Sequence, residues 1–426
     1  MNIVFPRCAA NAIVDMAKDW GSAANNRTMA SRNRSDVGVA AGAQPVGVAA
    51  AARTSPAATR GRRLMEFFCG LDVAMDETAI CVVDDKGAVH LETSAVSDPG
   101  AIRDALKPYL ARLRRVGHEA GSLSPWLHPE MLKLGLPAVC LETQHVRAAL
   151  SAQRNKTDKA DALGIAHIMR TGWFRQAHIK SENCYRIRLL LTQRRNLKAK
   201  FLDLENTIRH SLKAFGIKLG GTSRGTFDQA VREAVAQDAL TAELMDAMLT
   251  ARAMLWKQYC RLHDLVVRFV AGNELCRRFM QIPGVGPVTA LSFMTAIDDP
   301  SRFRRSRDVA AYFGLTSRRW QSGTSIDVQG RISKAGDPDV RRALYEAASA
   351  LLTRFKRKDK VKTWGQQIAK RSCHRKACVA VARKLAVIMH AMWIDGTFYV
   401  GDTALSEQDV AARAAVKDRK LLGAYR

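Results

Sequence analysis

The sequence predicts an α/β unit followed by a mainly helical region. Short apolar runs of strand length begin at residue 67 and are separated by turn residues. Helical and strand patterns then alternate to about residue 180, which is typical of an α/β architecture. Beyond about residue 185 the apolar residues recur with a period of about 3.5, as in long packed helices. The chain therefore has at least two structural parts.

The charge balance indicates a polyanionic partner. The 426 residues include 67 Lys and Arg against 40 Asp and Glu, which gives a net charge of +27. Because this excess is spread along the chain, nucleic acid is favoured over a membrane surface. No run of 18 or more apolar residues is present, so a membrane-spanning helix is not predicted.

The nine cysteines lack the spacing of paired disulfides, which predicts reduced thiols in a cytosolic protein. The cluster of Cys373, His374 and Cys378 is compatible with zinc. A closed zinc site needs four ligands, however, and no matching second pair follows.

Residues 1–64 are rich in Ala, Arg, Ser and Asn and have no sustained apolar period. Arg-rich, acid-poor stretches of this kind can resemble transit peptides. We interpret the segment as a disordered extension, or as the product of an upstream start codon with Met65 as the true beginning.

Three antiparallel strands are predicted to begin the α/β unit. They are expected at Phe67–Val73, Thr78–Asp84 and His90–Ala95, with "DDKG" as a tight turn. A helix is predicted over "DPGAIRDALKPYLARLRRV", where apolar residues recur at helical spacing at Ile102, Leu106, Leu110 and Leu113. A strand ending at "GHEAG", the helix "SPWLHPEMLKLG" and the strand "PAVCLET" follow. This is the order of an RNase H-like fold.

An antiparallel coiled coil is predicted next. In its first helix the apolar residues step by four, three, four and four, at Leu197, Phe201, Leu204, Ile208 and Leu212. In its second helix they recur every seven residues at Met248, Leu255, Leu262 and Phe269, supplemented by Tyr259 and Val266. The Gly-rich "GIKLGGTSRGT" would join the two helices. An ordinary helical core is the alternative.

The stretch "QIPGVGPVTALSFMTAI", residues 281–297, matches the helix-hairpin-helix pattern. Gly284 and Gly286 would form a tight turn whose backbone N–H groups contact a phosphate without reading sequence. A plain helix N-terminus is the alternative. An Arg-, Ser- and Gly-rich region, further helices to about residue 395 and a polar tail follow.

Two acids lie three residues apart in "NKTDKADA", residues 155–162. On a helix Asp158 and Asp161 share one face. They could simply favour a helix N-terminus, with Thr157 as the cap. They could also form half of a divalent-metal site, provided that further carboxylates lie elsewhere in the chain.

An RNase H-like sheet offers those carboxylates. Asp72 lies on the first strand in "GLDVA", and Glu119 ends a later strand in "GHEAG". Glu142, which ends "VCLET", is an alternative to Glu119. Four adjacent carboxylates repel one another, whereas one or two Mg²⁺ ions would make them a phosphoryl-transfer site. The neighbouring Lys156 and Lys159 would hold nucleic acid.

The chain resembles the IS110 family of insertion-sequence transposases. The resemblance rests on "GLDVAMDETAICVVD", "HEAGSLSPWL", "RNKTDKADALGIAHIMRTGW", "IPGVGPVTA" and "YFGLTSRRWQSG", followed by "GRISKAGDPDVRRALYEAA". It implies a RuvC-like domain with four acids at residues 65–181, a coiled-coil arm at 182–272, a C-terminal transposase domain at 273–400 and a tail at 401–426.

The resemblance also implies a bacterial DNA transposase that acts in the cytoplasm and on the nucleoid. Such an enzyme would cut and exchange strands of donor and target DNA, guided by a bridge RNA that pairs with both. It would work as a homo-oligomer, a dimer or tetramer, in which sites are shared between protomers.

The family's catalytic serine falls by motif on Ser322 in "RRWQSGTS", with Ser325 as the rival nucleophile. The resemblance implies that this serine becomes joined to DNA while Mg²⁺ is held by the four acids. Arg318 and Arg319, upstream of the serine, would hold the phosphate. Further nucleic-acid contacts are expected from Arg331 and Lys334.

Two other functions remain open. A metal-dependent nuclease of the Holliday-junction type would use the same acids with water as the nucleophile. A non-enzymatic derivative of a transposase would only bind nucleic acid. An RNA-processing nuclease is disfavoured because nothing in the sequence resembles an RNA-reading module.

Overall fold

The computed structural model describes residues 65–151, 156–323, 326–401 and Ala415. The chain divides between residues 182 and 183 into two compact units. The extension predicted for residues 1–64 and almost all of the predicted tail lie outside the described residues.

A mixed five-stranded sheet forms the first unit. Its spatial order is β3-β2-β1-β4-β5, with β1 antiparallel to β2 and parallel to β4. The strands are β1 Phe67–Val73, β2 Glu77–Asp84, β3 Val89–Val96, β4 Leu113–Glu119 and β5 Ala138–Leu141. The three strands predicted at its start are confirmed to within one residue at each end. This sheet fits the RuvC-like fold.

Helices cover both faces of the sheet. They are α1 Pro99–Ala105, α2 Ser124–Lys133, α3 Thr143–Leu150 and α4 Asp158–Thr171. One buried cluster joins one sheet face to α1 and α2 through Leu71, Ile102 and Leu127. A second joins the opposite face to α3 and α4, through Val146 and Ile165.

The helix predicted through Leu113 is wrong at its C-terminal end. The α-helix ends at Ala105, a 3₁₀ helix covers Lys107–Arg112, and Leu113 begins β4 opposite Phe67. Pro108 has no N–H to donate inside a helix. Leu113 is buried in the sheet core, so its apolar character reflects strand pairing.

The second unit is mainly helical and carries one β-hairpin. Its helices are α5 Glu182–Leu212 (whose first residue belongs to the first unit), α6 Phe227–Val235, α7 Ala239–Gly272, α8 Glu274–Phe279, α9 Pro287–Ile297, α10 Ser306–Tyr312, α11 Pro338–Thr353, α12 Lys360–Arg371 and α13 His374–Asp395. The hairpin strands are β6 Ser317–Ser322 and β7 Ile326–Ile332.

The two long helices α5 and α7 pack antiparallel. The ring centroids of Phe201 and Trp256 lie 5.0 Å apart, and Arg194 donates to Tyr259 at 2.7 Å. Nearer the end of α5, Ile208 shares a cluster with Leu249. Contacts thus move toward the start of α7 as α5 proceeds, which is the direction predicted for the arm. Knobs-into-holes packing stays a prediction.

Polar residues occupy part of the α5–α7 seam. Arg252 on α7 is 4% exposed, donates to Glu205 on α5 at 2.9 Å and donates to Asp228 on α6 at 2.6 Å. Its guanidinium also lies over the rings of Phe201 and Phe227. Helix α6 lies in the chain between the two long helices and was not predicted.

Helix α9 lies in the core of the second unit. Every residue from Thr289 to Ile297 is buried, which agrees with the absence of a polar face on this helix. Among the described helices, α13 alone is long and apolar enough to cross a membrane, and just over half of its most apolar window is buried inside the unit. The eight described cysteines are all free thiols.

Candidate active site

Asp72 and Glu119 end neighbouring parallel strands. In the β1–β4 register Leu71 faces His118, so the next residue on each strand is a carboxylate. One step before, Gly70 faces Gly117. Because side chains alternate along a strand, each acid shares a sheet face with the glycine two residues before it.

Those two glycines allow α4 to approach the sheet. A Cβ at Gly70 would overlap the backbone of α4 at Ala162 and Ala166. A Cβ at Gly117 would lie 2.6 Å from the side chain of Met169. The first turn of α4 therefore lies toward the carboxyl ends of β1 and β4.

That first turn carries Asp158 and Asp161. Thr157 is the N-cap, because its hydroxyl accepts a hydrogen bond from the N–H of Ala160 at 3.2 Å. The capping interpretation is confirmed for Thr157, and it leaves both carboxylates on the helix face that approaches the strands. Capping and a carboxylate site are thus compatible.

The electrostatics of Asp72 reflect these neighbours. Partial burial raises the pKa of the Asp72 carboxyl, and the charges of Asp161, Asp158 and Glu119 raise it further. Lys156 acts in the opposite direction and lies 3.8 Å from Asp161. Three of the predicted acids therefore act on the fourth, Asp72.

Glu142, the alternative to Glu119, is not among the groups that raise the pKa of Asp72. It lies at the N-cap of α3, beyond the end of β5. Lys159, the second predicted lysine, pairs with Glu92 on β3 at 3.2 Å. The geometry therefore favours Glu119 as the acid that accompanies Asp72.

All four groups are carboxylates, the ligands that a hard divalent cation prefers, but as they stand they do not lie close enough together to form a metal site. Within the described part of the chain, no three His, Cys, Asp or Glu side chains converge closely enough to hold a metal ion. Cys378 and His374 are in contact at 3.2 Å, but they belong to no such group either.

A buried polar network supports Glu119 and was not predicted. Ser124 donates to the carbonyl oxygen of Glu119 at 3.1 Å and accepts from the N–H of Gly121 at 2.9 Å. The Ser124 hydroxyl also lies 3.4 Å from Nδ1 of His118, whose Nε2 contacts His128 at 3.0 Å. Burial, together with the nearby His128, lowers the pKa of His118 to about 4.

Ser322 ends β6, at the tip of the hairpin. All six residues of β6 are exposed, and Ser322 pairs with Ile326 across the hairpin. Gly323 follows with φ 57°, in the left-handed region that favours glycine. Ser325, the rival nucleophile, lies outside the described residues.

The cations predicted around Ser322 differ in their contacts. Arg319 forms a two-bond ion pair with Asp327 across the hairpin, at 2.6 and 2.5 Å. Arg318 donates to the carbonyl oxygen of Ser333 at 3.1 Å. Lys334 is exposed and has φ 56°. Arg331 is exposed and pairs with no residue in the part of the chain that the structure describes.

Trp320 is a hairpin residue that the sequence analysis did not select. It is 53% exposed and, two residues before Ser322, shares its face of β6. A Cβ at Gly330 would overlap the Trp320 ring, so the indole lies flat against the opposite strand. Because Trp320 and Gly330 are ten residues apart, no local sequence pattern pointed to this contact.

The two glycines of the predicted helix-hairpin-helix have different surroundings. Gly284 has φ 89°, and a Cβ there would overlap the backbone of α11 at Ala347. Gly286 is the N-cap of α9, and a Cβ there would meet nothing within 4 Å. Gly284 thus serves helix packing, whereas phosphate contact at Gly286 stays a prediction.

Comparison with known proteins gives two family matches in chain order. Residues 69–217 match the IS110 DEDD transposase family, and residues 276–363 match the transposase IS116/IS110/IS902 family. The chain is 28% identical over 328 residues to the transposase for insertion sequence element IS1111A of Coxiella burnetii, covering 76% of this chain and 88% of that protein.

Two further relatives extend the comparison. A probable family 20 transposase of Pseudomonas aeruginosa is 26% identical, over 66% of this chain and 83% of its own length. The pilin gene-inverting protein of Moraxella bovis is 26% identical, over 58% of this chain and 69% of its own length.

Proposed function

The chain belongs to the IS110 family of transposases and is a DNA recombinase, and from that premise we propose that it cuts and exchanges strands through a serine nucleophile. The observation that carries the proposal is that the charges of three other carboxylates, Asp161, Asp158 and Glu119, all act on Asp72. The similarity to a pilin gene-inverting protein supports recombination rather than simple hydrolysis.

The carboxylates Asp72, Glu119, Asp158 and Asp161 would hold a divalent metal, which the family match indicates and which we propose to be Mg²⁺. When bound, this ion supplies positive charge to a transferring phosphoryl group. Burial and then the charges of Asp161, Asp158 and Glu119 raise the pKa of Asp72, and the charge contribution supports this role because a bound cation would relieve that repulsion.

Ser322 would supply the nucleophile. Its Oγ bonds to phosphorus while the bond to the leaving sugar oxygen breaks, and the hydroxyl proton ends on that oxygen. The product is a phosphodiester between serine and DNA, which conserves the bond energy for rejoining to a new strand. The exposure of Ser322 and the left-handed Gly323 beside it support approach of a phosphate.

Sequence choice would come from a bridge RNA that pairs with donor and target DNA. The net charge of +27 supports tight, salt-sensitive contacts to phosphates without base reading. We propose the same domain assignment as the sequence indicates, with residues 65–181, 182–272 and 273–400 as RuvC-like domain, arm and transposase domain. A homo-oligomer, dimer or tetramer, would carry out the exchange.

The test is to trap products on DNA with RNA and Mg²⁺, digest the protein and map the modified peptide by mass spectrometry. We expect an adduct on Ser322, and none with Ser322→Ala. An adduct on Ser325 would assign the nucleophile to that residue instead. Free nicked ends without an adduct would instead establish the water-based nuclease. No cleavage with any DNA, RNA or metal would favour the non-enzymatic derivative.

A further inference from the structure

One groove adjoins the hairpin that carries Ser322, and a second groove shares Trp364 on α12 and Lys384 on α13 with it. The first has a volume of about 480 Å³ and lies between the base of the hairpin, at Ser317 and Ile332, and α13. The second, of about 500 Å³, is lined by Trp364, Lys384 and the segment that contains Phe398 and Tyr399. Together they form one track along the surface of the second unit.

One wall of the track is positively charged. Lys376, Arg383 and Lys384 recur on one side of α13 and line the first groove, whereas the other side of the helix is buried in the core. None of the three pairs with a carboxylate among the residues that the structure describes. Other arginines in the same unit do have a carboxylate partner; Arg188, for example, pairs with Asp337.

Acidic groups do not offset this charge. Residues 354–384 contain twelve Lys and Arg and one acid, Asp359. Asp359 is 3% exposed, and its carboxylate accepts from the Tyr399 hydroxyl at 2.7 Å and from the N–H of Lys362 at 2.9 Å. Among the described residues that line either groove, no acid is present.

An aromatic face lies within this charged track. Trp364 is 39% exposed, and the Lys384 ammonium lies 6.0 Å from its ring centroid. Exposed aromatic rings flanked by cations are the usual means of holding unpaired nucleotides, because a base stacks on the ring while phosphates contact Lys or Arg. Paired bases in a duplex do not present their faces to such a ring.

We propose that this track binds unpaired nucleotides of the DNA strand that is cut, with a base on Trp364 and phosphates on Lys376, Arg383 and Lys384. Ser322 lies five residues along β6 from Ser317, which is roughly 17 Å of strand. The choice of DNA as occupant rests on the proposed role of Ser322, because the track leads to the base of that hairpin. The binding itself requires no chemistry.

The test uses the full chain carrying Ser322→Ala, so that binding is measured without cleavage. Single-stranded DNA, RNA of the same sequence and duplex DNA are titrated at several salt concentrations. Trp364→Leu should weaken binding to single-stranded DNA about tenfold, while Trp364→Tyr should retain most of it. Each of Lys376→Gln, Arg383→Gln and Lys384→Gln should reduce the salt slope by roughly 0.7.

Two control variants separate the site from general effects. Trp126→Leu removes a tryptophan that is 47% exposed in the other unit, and Lys257→Gln removes an exposed lysine on α7. Neither should change binding by more than about twofold. Photocrosslinking of halogenated single-stranded DNA, followed by peptide mapping, should place the contact on the segment that contains Trp364.

Equal losses for Trp364→Leu and Trp126→Leu would overturn the proposal, as would a crosslink outside the track. A crosslink formed by RNA but not by DNA would also overturn it. If Ser322 forms no adduct in the earlier test while single-stranded DNA still binds at Trp364, the binding site stands and only the serine mechanism fails.

Discussion

The strands that carry Asp72 and Glu119 differ from the hairpin that carries Ser322 in how firmly the protein holds them. β1 lies between two other strands, with α4 packed directly on Gly70. β6 has one neighbouring strand and is exposed along its whole length. The contrast indicates that the carboxylates are positioned by folding, and it leads us to predict that the serine hairpin gains contacts when DNA binds.

The largest expected effect concerns the carboxylates. Changing Asp72, Glu119, Asp158 or Asp161 to Ala should each reduce strand exchange at least about a thousandfold, because each removes a ligand of the proposed metal site. Nucleic-acid binding should change little. The measurement is a recombination assay beside an affinity titration.

Glu142→Ala is the matched control and should retain near-normal exchange. If Glu142→Ala abolished exchange while Glu119→Ala kept it, the assignment of the second acid would be wrong. Asp72→Asn should not lower the thermal stability at neutral pH, because the raised pKa of Asp72 means that its charge disfavours folding.

Gly70→Ala should destabilise the first unit by about 3 kcal/mol, because its Cβ would overlap the backbone of α4 and backbone cannot rotate away. The same change should reduce exchange by displacing Asp158 and Asp161 from Asp72. Urea unfolding measures the first effect. Gly121→Ala, where a Cβ meets nothing within 4 Å, should cost well under 1 kcal/mol; equal costs at both glycines would contradict the close packing.

Acid should weaken the first unit through His118. Its folded pKa of about 4 lies below the ordinary 6.5, so the unfolded chain binds the proton first as pH falls. Stability is complete above about pH 6.5 and declines toward pH 4, by roughly 3 kcal/mol in total. Unfolding of wild type and His118→Gln at several pH values tests this, with exposed His210→Gln as control. An unchanged pH dependence in His118→Gln would refute it.

Gly323→Ala should have a smaller effect on stability than Gly70→Ala. The residue has φ 57°, but a Cβ there would meet nothing within 4 Å, so only backbone strain of about 1 kcal/mol is expected. The rate of strand exchange should fall by more than the loss of folded protein can explain, because the backbone beside Ser322 becomes stiffer. A full loss of the folded state would show that the hairpin is part of the core.

The sequence predicted the strands of the first unit because they are rich in apolar residues and bounded by turn residues, but it did not predict the β6–β7 hairpin. It failed at Leu113, where apolar residues continue at helical spacing although the chain has entered β4. It also placed the α7 side of the arm on residues such as Leu255, which is half-buried, whereas the contacts run through Tyr259 and the buried Arg252. Polar residues at an interface between two helices do not produce a repeat of apolar residues in the sequence.

The sequence was enough to predict which acids belong to the candidate site, but not the contacts that hold them in place. Asp72 and Asp161 could be found from strand order and i, i+3 spacing. Three features depend on contacts between different segments of the chain. They are the close approach of α4 to Gly70, the hydrogen bond from Ser124 to the carbonyl oxygen of Glu119 and the contact of Trp320 with Gly330. Such contacts follow from packing and leave no local pattern.

Hydrogen exchange of the full chain, with and without DNA and RNA, tests the contrast between the two regions most directly. The amides of β1 and β4 should be strongly protected in both states, since every β1 amide lies in a paired and buried strand. Amides of β6 and β7 should exchange rapidly in the free protein and become protected when DNA binds. A hairpin as protected as β1 in the free protein, or one that DNA leaves unprotected, would contradict the account.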